Sequence, residues 1–386
     1  MRKSRTTEMK TIKTVLIGAG YRGMRLLRLM KQIHAFRITA LFDPSSELLP
    51  EEKIERFSGE TNGYKEMILR HRPDLVVIAS PWKWHVEQAM YALEQGCHVA
   101  LEIKGGLKTD EYCPLISLAE QKGLRIYPLE NTVFMRENMA MLNLVQAGVL
   151  GNLVALRGGY RHDLRDMLID EQGLPGNPHK PEGIWRSRFY LEENGDLYPT
   201  HGLAPLCLAA GVGRTDRIAE LTSFASRACG LKELIARRGG DPLLKIAMGD
   251  IVITQMRTAA GILITLTHDT TLPRPRSLDF ELQGSKGIWR GEFRQIYIEG
   301  ESPDETWEDD REYIEHFEHV FWKRWGKEAL KHDAHHRGMD YIMLRALAAD
   351  MQGEAVYPAT GEDLALWTSI TPHSKLSIAE KRTVFF

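Results

Sequence analysis

From Thr14 to about Glu130, short β-branched runs alternate with amphipathic stretches. Val15-Leu16-Ile17 reads as a buried strand, and Tyr21 to Ile33 as a helix with apolar residues at 24, 26, 27, 29, 30 and 33. Ile38 to Phe42 reads as a second strand. Leu75 to Ala79 is another, introduced by the Arg72-Pro73-Asp74 turn. His85 to Gln95 is helical and closes at Gly96, Val99 to Ile103 returns as a strand, and Leu124 to Leu129 follows one more helix. Strands alternating with helices predict a parallel, doubly wound sheet.

The texture changes after Met139 to Gly148, a short helix closed by glycine. Leu153 to Tyr160, Ile218 to Ser226, Gly249 to Thr258, Gly261 to Asp269, Ser277 to Gly284 and Gly287 to Glu292 read as longer strands with partial period-2 alternation. This pattern predicts a large, mostly antiparallel sheet in a second, α+β domain. The expected division is 1–135 for an N-terminal Rossmann domain and 136–386 for the α+β domain. The Pro- and Gly-rich stretch Gly173 to Gly183 reads as a loop bordering a site. Helices are expected around Glu315 to Leu330 and over Met339 to Met351, followed by a polar C-terminal segment.

A length of 386 residues suits two domains, and 43% hydrophobic with 26% charged residues is the make-up of a soluble globular protein. A net charge of −2 gives no electrostatic reason to expect nucleic acid or an anionic membrane as partner. Cys97, Cys113, Cys207 and Cys229 are scattered, with no Cys-x-x-Cys pair, so neither a zinc knuckle nor a disulfide framework is indicated. The basic, polar start, Met1 to Lys13, precedes an apolar run too short for a signal peptide, and nothing approaches the roughly 20 apolar residues of a membrane span. The expected location is the cytoplasm.

Gly18-Ala19-Gly20-Tyr21-Arg22-Gly23 is a G-x-G-x-x-G element that follows a predicted strand and opens a predicted helix. Gly18 permits the tight turn, Gly20 lets backbone approach a pyrophosphate, and Gly23 lets the helix pack on the sheet. Asp43 closes the second strand, at an end expected to be exposed, where a carboxylate accepts from ribose hydroxyls and repels a 2′-phosphate. The expected cofactor is therefore NAD. Far along the chain, Tyr198-Pro199-Thr200-His201-Gly202 sets two proton carriers three residues apart. They suit proton transfer to a bound substrate, or a His that caps the next helix and a Tyr that fills a seam. No His or Cys spacing supports a metal site.

Longer strings carry a more specific resemblance. Ser80-Pro81-Trp82-Lys83-Trp84-His85, Leu129-Glu130-Asn131, Tyr160-Arg161-His162-Asp163-Leu164-Arg165 and Tyr198 to Leu203 are such strings. His268-Asp269-Thr270, Pro273-Arg274-Pro275 and Gly338-Met339-Asp340-Tyr341 continue them. In these the chain resembles the Gfo/Idh/MocA oxidoreductase superfamily and, within it, glycoside hydrolase family 109, whose best-known members are NAD-dependent α-N-acetylgalactosaminidases. The resemblance implies Glu130, Tyr160, Tyr198 and His201 as catalytic residues. It implies cofactor contacts from Gly18, Gly20, Tyr21, Arg22, Gly23, Asp43, Ser80, Trp82, His85, Glu102, Lys104 and Asn131. Contacts to a carbohydrate substrate fall to His162, Asp163, Trp185 and Arg186, and a homodimer or homotetramer is implied.

Sugar dehydrogenases of the superfamily carry Glu-Lys-Pro where this chain reads Glu102-Ile103-Lys104. The hydrolase family also lacks that lysine, so Ile103 favours a glycosidase that transiently oxidises C3, eliminates across C1–C2, adds water and re-reduces. Lys104 stands in place of the family's proline, which leaves an NAD-dependent sugar or cyclitol dehydrogenase, with Lys104 or His201 as base, as the alternative. A cofactor-binding protein with an idle pocket is a third class, disfavoured by the full set of proton carriers.

Overall fold

The short apolar runs of the first third pair in parallel, as strands buried on both faces do. They are β1 (Ile12–Ile17), β2 (Phe36–Phe42), β3 (Glu55–Phe57), β4 (Leu75–Ile78), β5 (His98–Leu101) and β6 (Ile126–Pro128). The computed structural model describes residues 11–48, 54–59 and 62–386, and most of the basic N-terminal stretch lies outside them. The strands form one sheet in the order β3-β2-β1-β4-β5-β6, the doubly wound order expected. Strand order reverses at β1, so the carboxyl ends of β1 and β4 border the crevice where such sheets bind ligands.

The second sheet has nine strands. They are β7 (Leu153–Arg161), β8 (Ile218–Ala225), β9 (Ile251–Thr258), β10 (Leu263–Asp269), β11 (Glu281–Gly284), β12 (Gly287–Arg290), β13 (Gln295–Ile298), β14 (Glu308–Asp309) and β15 (Val384–Phe385). Their order is β14-β13-β12-β11-β7-β10-β9-β8-β15. All neighbours run antiparallel except β7 and β10. Alternation in β9 shows why: Val252, Thr254, Met256 and Thr258 are buried, whereas Ile253, Gln255 and Arg257 face outward. The buried face packs against the helices Thr200–Ala210 and Gly361–Glu380.

Several elements depart from the expectations. The polar C-terminal segment contains a 20-residue helix, Gly361–Glu380, opened by a Thr360/Asp363 capping box. Its hydroxyls are satisfied by backbone, Thr368 Oγ1 on the Leu364 carbonyl at 2.8 Å and Ser374 Oγ on that of Thr371 at 2.9 Å within the helix, and Thr371 Oγ1 on the Asp196 carbonyl at 2.8 Å beyond it. That lets a face containing Leu364, Trp367 and Ile370 be buried despite its polar composition. The loop from Gly173 ends at Lys180, because Pro181 starts the helix Pro181–Glu192 in the first-turn position that proline tolerates. The acidic aromatic stretch is two helices, Arg311–His316 and Val320–His332, the second capped by His319.

Two arginines of the first helix, Tyr21–Met30, tie the two sheets' helices together. Arg22 makes two bonds to Asp340 (2.8 and 3.0 Å) and Arg25 Nε a third at 2.9 Å, while Arg25 also pairs with Asp333. Asp340 lies on the helix Met339–Met351, is fully buried, and also accepts from Asn131 Nδ2 (2.8 Å) and meets His336 Nδ1 at 2.7 Å. Burial would raise the Asp340 carboxyl, but Arg22 and His336 hold it well below the usual carboxylate range.

Candidate active site

The turn after β1 forms because three glycines meet three different needs. Gly18 has φ +94°, and a Cβ there would lie 2.7 Å from the Ala79 carbonyl carbon. A Cβ at Gly23 would lie 1.9 Å from the Gly18 carbonyl oxygen. A Cβ at Gly20 would meet nothing within 4 Å, so this glycine alone opens onto free space. The helix Tyr21–Met30 starts there with its first amides unpaired in the helix, a ready anion site. This is the geometry a dinucleotide pyrophosphate needs, and the turn fits NAD.

Asp43 departs from its expected setting: it is 8% exposed rather than free at a strand end. Its carboxylate accepts from Ala19 N (2.8 Å) and Ser45 N (3.0 Å), because the turn after β1 folds over the end of β2. Asp43 thus braces the glycine turn, and its remaining lone pairs are what a ribose could use.

Of the other expected cofactor residues, Tyr21 and Arg22 open the first helix and the rest sit beyond the carboxyl ends of β4, β5 and β6, and several are already engaged. Tyr21 is exposed and Arg22 is committed to Asp340 and, through Nε, to Glu102 at 2.8 Å. Burial lifts the Glu102 carboxyl to about 7 against the pull of Arg22. Ser80 Oγ bonds Gln88 Oε1 at 2.6 Å, and its carbonyl accepts from His85 Nε2 at 2.7 Å. His85 is fully buried, and burial lowers its pKa to about 4. Asn131 keeps a buried Oδ1 with no protein donor. Lys104 is fully buried, its Nζ on the Gly106 carbonyl at 3.1 Å and 5.4 Å from the Trp82 ring centroid; burial pulls it down to about 7.

Glu130, Tyr160, Tyr198 and His201 converge although they come from the turn after β6, from β7, and from the segment that leads into the helix Thr200–Ala210 and its first turn. Glycines make this possible: a Cβ at Gly202 would stand 2.3 Å from Gly159 N, so the helix lies directly on β7. His201 Nδ1 meets Glu130 Oε1 at 2.7 Å, and the same oxygen accepts from Thr132 N (3.1 Å) and Thr132 Oγ1 (2.7 Å). The carboxylate is fully buried and bonded to the imidazole, an arrangement suited to orienting the ring. The Tyr160 and Tyr198 rings lie 5.3 and 4.7 Å from the His201 ring and 4.7 Å from each other.

Burial lowers His201, with Glu130 opposing, so near neutral pH the ring is uncharged; Nδ1–H donates to Glu130 and Nε2 offers a lone pair. Burial, the largest single influence, raises the Glu130 carboxyl, but His201 and the hydrogen bonds it accepts together bring it below its usual value, and it stays ionised. Burial raises both tyrosines while Arg186 pulls each down, so both carry their protons at neutral pH. Arg186 is buried, pairs with Glu182 at 2.8 Å, and lies 4.7 Å from the Trp82 ring and 5.2 Å from that of Tyr198. Trp185 and Phe189 complete this aromatic wall at 5.0 and 5.3 Å from Trp82. His162 stands 6.1 Å from Tyr160, whereas Asp163 is turned onto Arg165 at 2.7 Å. Thr132 and Arg276 were not singled out in the sequence. Thr132 is marked only by lying two residues after Glu130, and Arg276 only by following Pro273-Arg274-Pro275.

Comparison with known proteins adds to this geometry. Residues 12–127 match the model described as oxidoreductase family, NAD-binding Rossmann fold, and residues 134–385 match glycosyl hydrolase 109, C-terminal domain. A glycosyl hydrolase family 109 protein of Stenotrophomonas maltophilia (strain K279a) is 32% identical, over 96% of this chain and 87% of that protein. An alpha-N-acetylgalactosaminidase of Tannerella forsythia is 33% identical over 86% of this chain and 73% of that protein. In fold, the chain is similar to the WlbA dehydrogenase of Bordetella pertussis, solved with NADH and UDP-GlcNAcA. The TM-score is 0.71 at 13% identity, covering 98% of each chain. The N-terminal part is thus an NAD-binding Rossmann domain.

Proposed function

The chain belongs to glycosyl hydrolase family 109, and from that premise we propose that it cleaves an amino-sugar glycoside, of the α-N-acetylgalactosaminide type, with NAD retained through the cycle. One observation carries this reading: the Glu130–His201 pair with two protonated tyrosines packed against it, beside an NAD-binding domain. When bound, NAD supplies reversible hydride removal at the sugar's C3, and a ketone there acidifies the C2 proton.

His201 Nε2 is the uncharged lone pair of the site and takes a proton from the substrate. Tyr160 and Tyr198 hold protons that can pass to the leaving oxygen. Each such transfer is worth roughly 10²–10⁴-fold in rate. Glu130 fixes the His201 tautomer, and Trp82, Trp185 and Arg186 wall the pocket, with His162 beside Tyr160. The glycine turn, Asp43 and the ends of β4 to β6 hold the cofactor. Lys104 is turned onto Gly106 and Trp82, a poor placement for the base of a plain dehydrogenase. We take residues 1–135 as the cofactor domain and 136–386 as the substrate and assembly domain.

The outward face of the second sheet carries Phe224 opposite Ile253, and Leu263 nearby, 66%, 41% and 54% exposed. It supports a homodimer or homotetramer, which light scattering reads. No helix among the described residues is long and apolar enough to cross a membrane. Four unpaired cysteines and an NAD requirement suit the cytoplasm. The activity is tested by supplying a glycoside to NAD-loaded protein. Free sugar should appear without accumulating NADH; stoichiometric NADH with a ketosugar would make it a dehydrogenase.

A further inference from the structure

Five arginines surround the Tyr160–His162 edge of the pocket, and four are neutralised. Arg161 pairs with Asp279 at 3.3 Å, Arg165 with Asp163 at 2.7 Å, Arg186 with Glu182 at 2.8 Å, and Arg274 with Asp269 at 2.5 Å. Arg276 has no ion pair or hydrogen bond among the described residues, and it is exposed. Its place is fixed by its neighbour. Ser277 exchanges both backbone bonds with Arg161, at 2.8 and 3.1 Å, and Arg161 stands between Tyr160 and His162. Ser277 Oγ meanwhile engages Glu292 Oε2 at 2.7 Å, so that carboxylate is bound to the serine hydroxyl. The Ser277–Arg161 bridge sets Arg276 beside the Tyr160–His162 segment, and in keeping with this its charge pulls Tyr160, His162 and, less strongly, His201 toward lower pKa. Two further buried nitrogens there, His162 Nδ1 and Arg186 Nε, have no partner.

We propose that Arg276 is a specificity-determining residue that receives an anionic substituent of the substrate, a carboxylate, phosphate or sulfate. The substituent is carried on the sugar or on its leaving group. An unpaired guanidinium at the mouth of a site offers a charge-assisted fork to such an oxyanion, and a neutral glycoside leaves it unused. This deepens the glycosidase reading and rests on it for the placement of substrate.

The test uses the full-length, NAD-loaded protein and four compounds: p-nitrophenyl α-N-acetylgalactosaminide, its sugar 6-phosphate, and the same neutral sugar on a phenol with and without a carboxylate. Cleavage gives kcat/KM ratios of anionic to neutral members, and calorimetry reads binding of the same compounds whether or not they are cleaved. One anionic compound should be favoured by about tenfold or more, and which pair shows it locates the charge on sugar or leaving group. The ratio should fall toward one in Arg276→Gln, be kept only in part in Arg276→Lys, which retains the charge but not the fork, and shrink with added salt. No anionic preference in either readout, or one that survives in Arg276→Gln, overturns the proposal. Arg276-dependent anion binding without any cleavage would instead sustain it while the glycosidase reading fails.

Discussion

Glu130 gives its buried carboxylate to His201 and Thr132, and this leaves the imidazole with one defined free nitrogen, which the proposed function uses as a base. Glu130→Gln keeps the shape and removes the charge that raises His201. Protonation of His201 silences it, so kcat/KM of the wild type should fall as pH drops through a value below 6.5. In Glu130→Gln that acid limb should move to lower pH while kcat falls about a hundredfold. An unmoved limb with less folded protein would reduce Glu130 to a structural role. That Tyr198 and His201 lie together was legible in the sequence because three-residue spacing survives without coordinates. The role of Glu130 behind the imidazole was not, since 71 residues separate the pair and only folding makes them neighbours. Asp43 was read correctly as a strand end, but its burial depends on the glycine turn closing over it.

The site depends on elements meeting at glycine. The helix Thr200–Ala210 lies on β7 because neither Gly158 nor Gly202 has a side chain, and this contact brings His201 to Tyr160. In Gly202→Ala the new methyl would stand 2.3 Å from Gly159 N and 2.7 Å from its Cα, backbone atoms that cannot swing aside. We expect a stability loss of about 1–3 kcal/mol by urea unfolding. We also expect activity down by about a hundredfold from misplacement of His201. Wild-type kinetics in that variant would show that the contact does not set the geometry. The nucleotide-binding helix and strands β1, β2 and β4 to β12 were readable because their apolar runs are short, periodic and bounded by turn residues, whereas β3, β13, β14 and β15, of two to four residues each, were not read. The helix Gly361–Glu380 was not, because its hydroxyls read as a solvated segment although backbone carbonyls, of its own turns and of Asp196 and Arg382, accept from them.

At the scale of the whole molecule, Asp340 joins the helix of the glycine turn to the second half of the chain. Asp340→Asn leaves Arg22 and Arg25 without their main counter-charge and should cost about 3–5 kcal/mol in urea unfolding; an unchanged midpoint would mean the network relaxes freely. The same architecture frames the proposed chemistry, since an NAD-binding domain lies beside an uncharged imidazole and two protonated phenols. Processing of p-nitrophenyl α-N-acetylgalactosaminide in heavy water, with the released sugar examined by NMR, tests the central claim most directly. Elimination requires the C2 proton to leave and return, so the sugar should carry deuterium at C2. A released sugar with protium only at C2 would contradict the account.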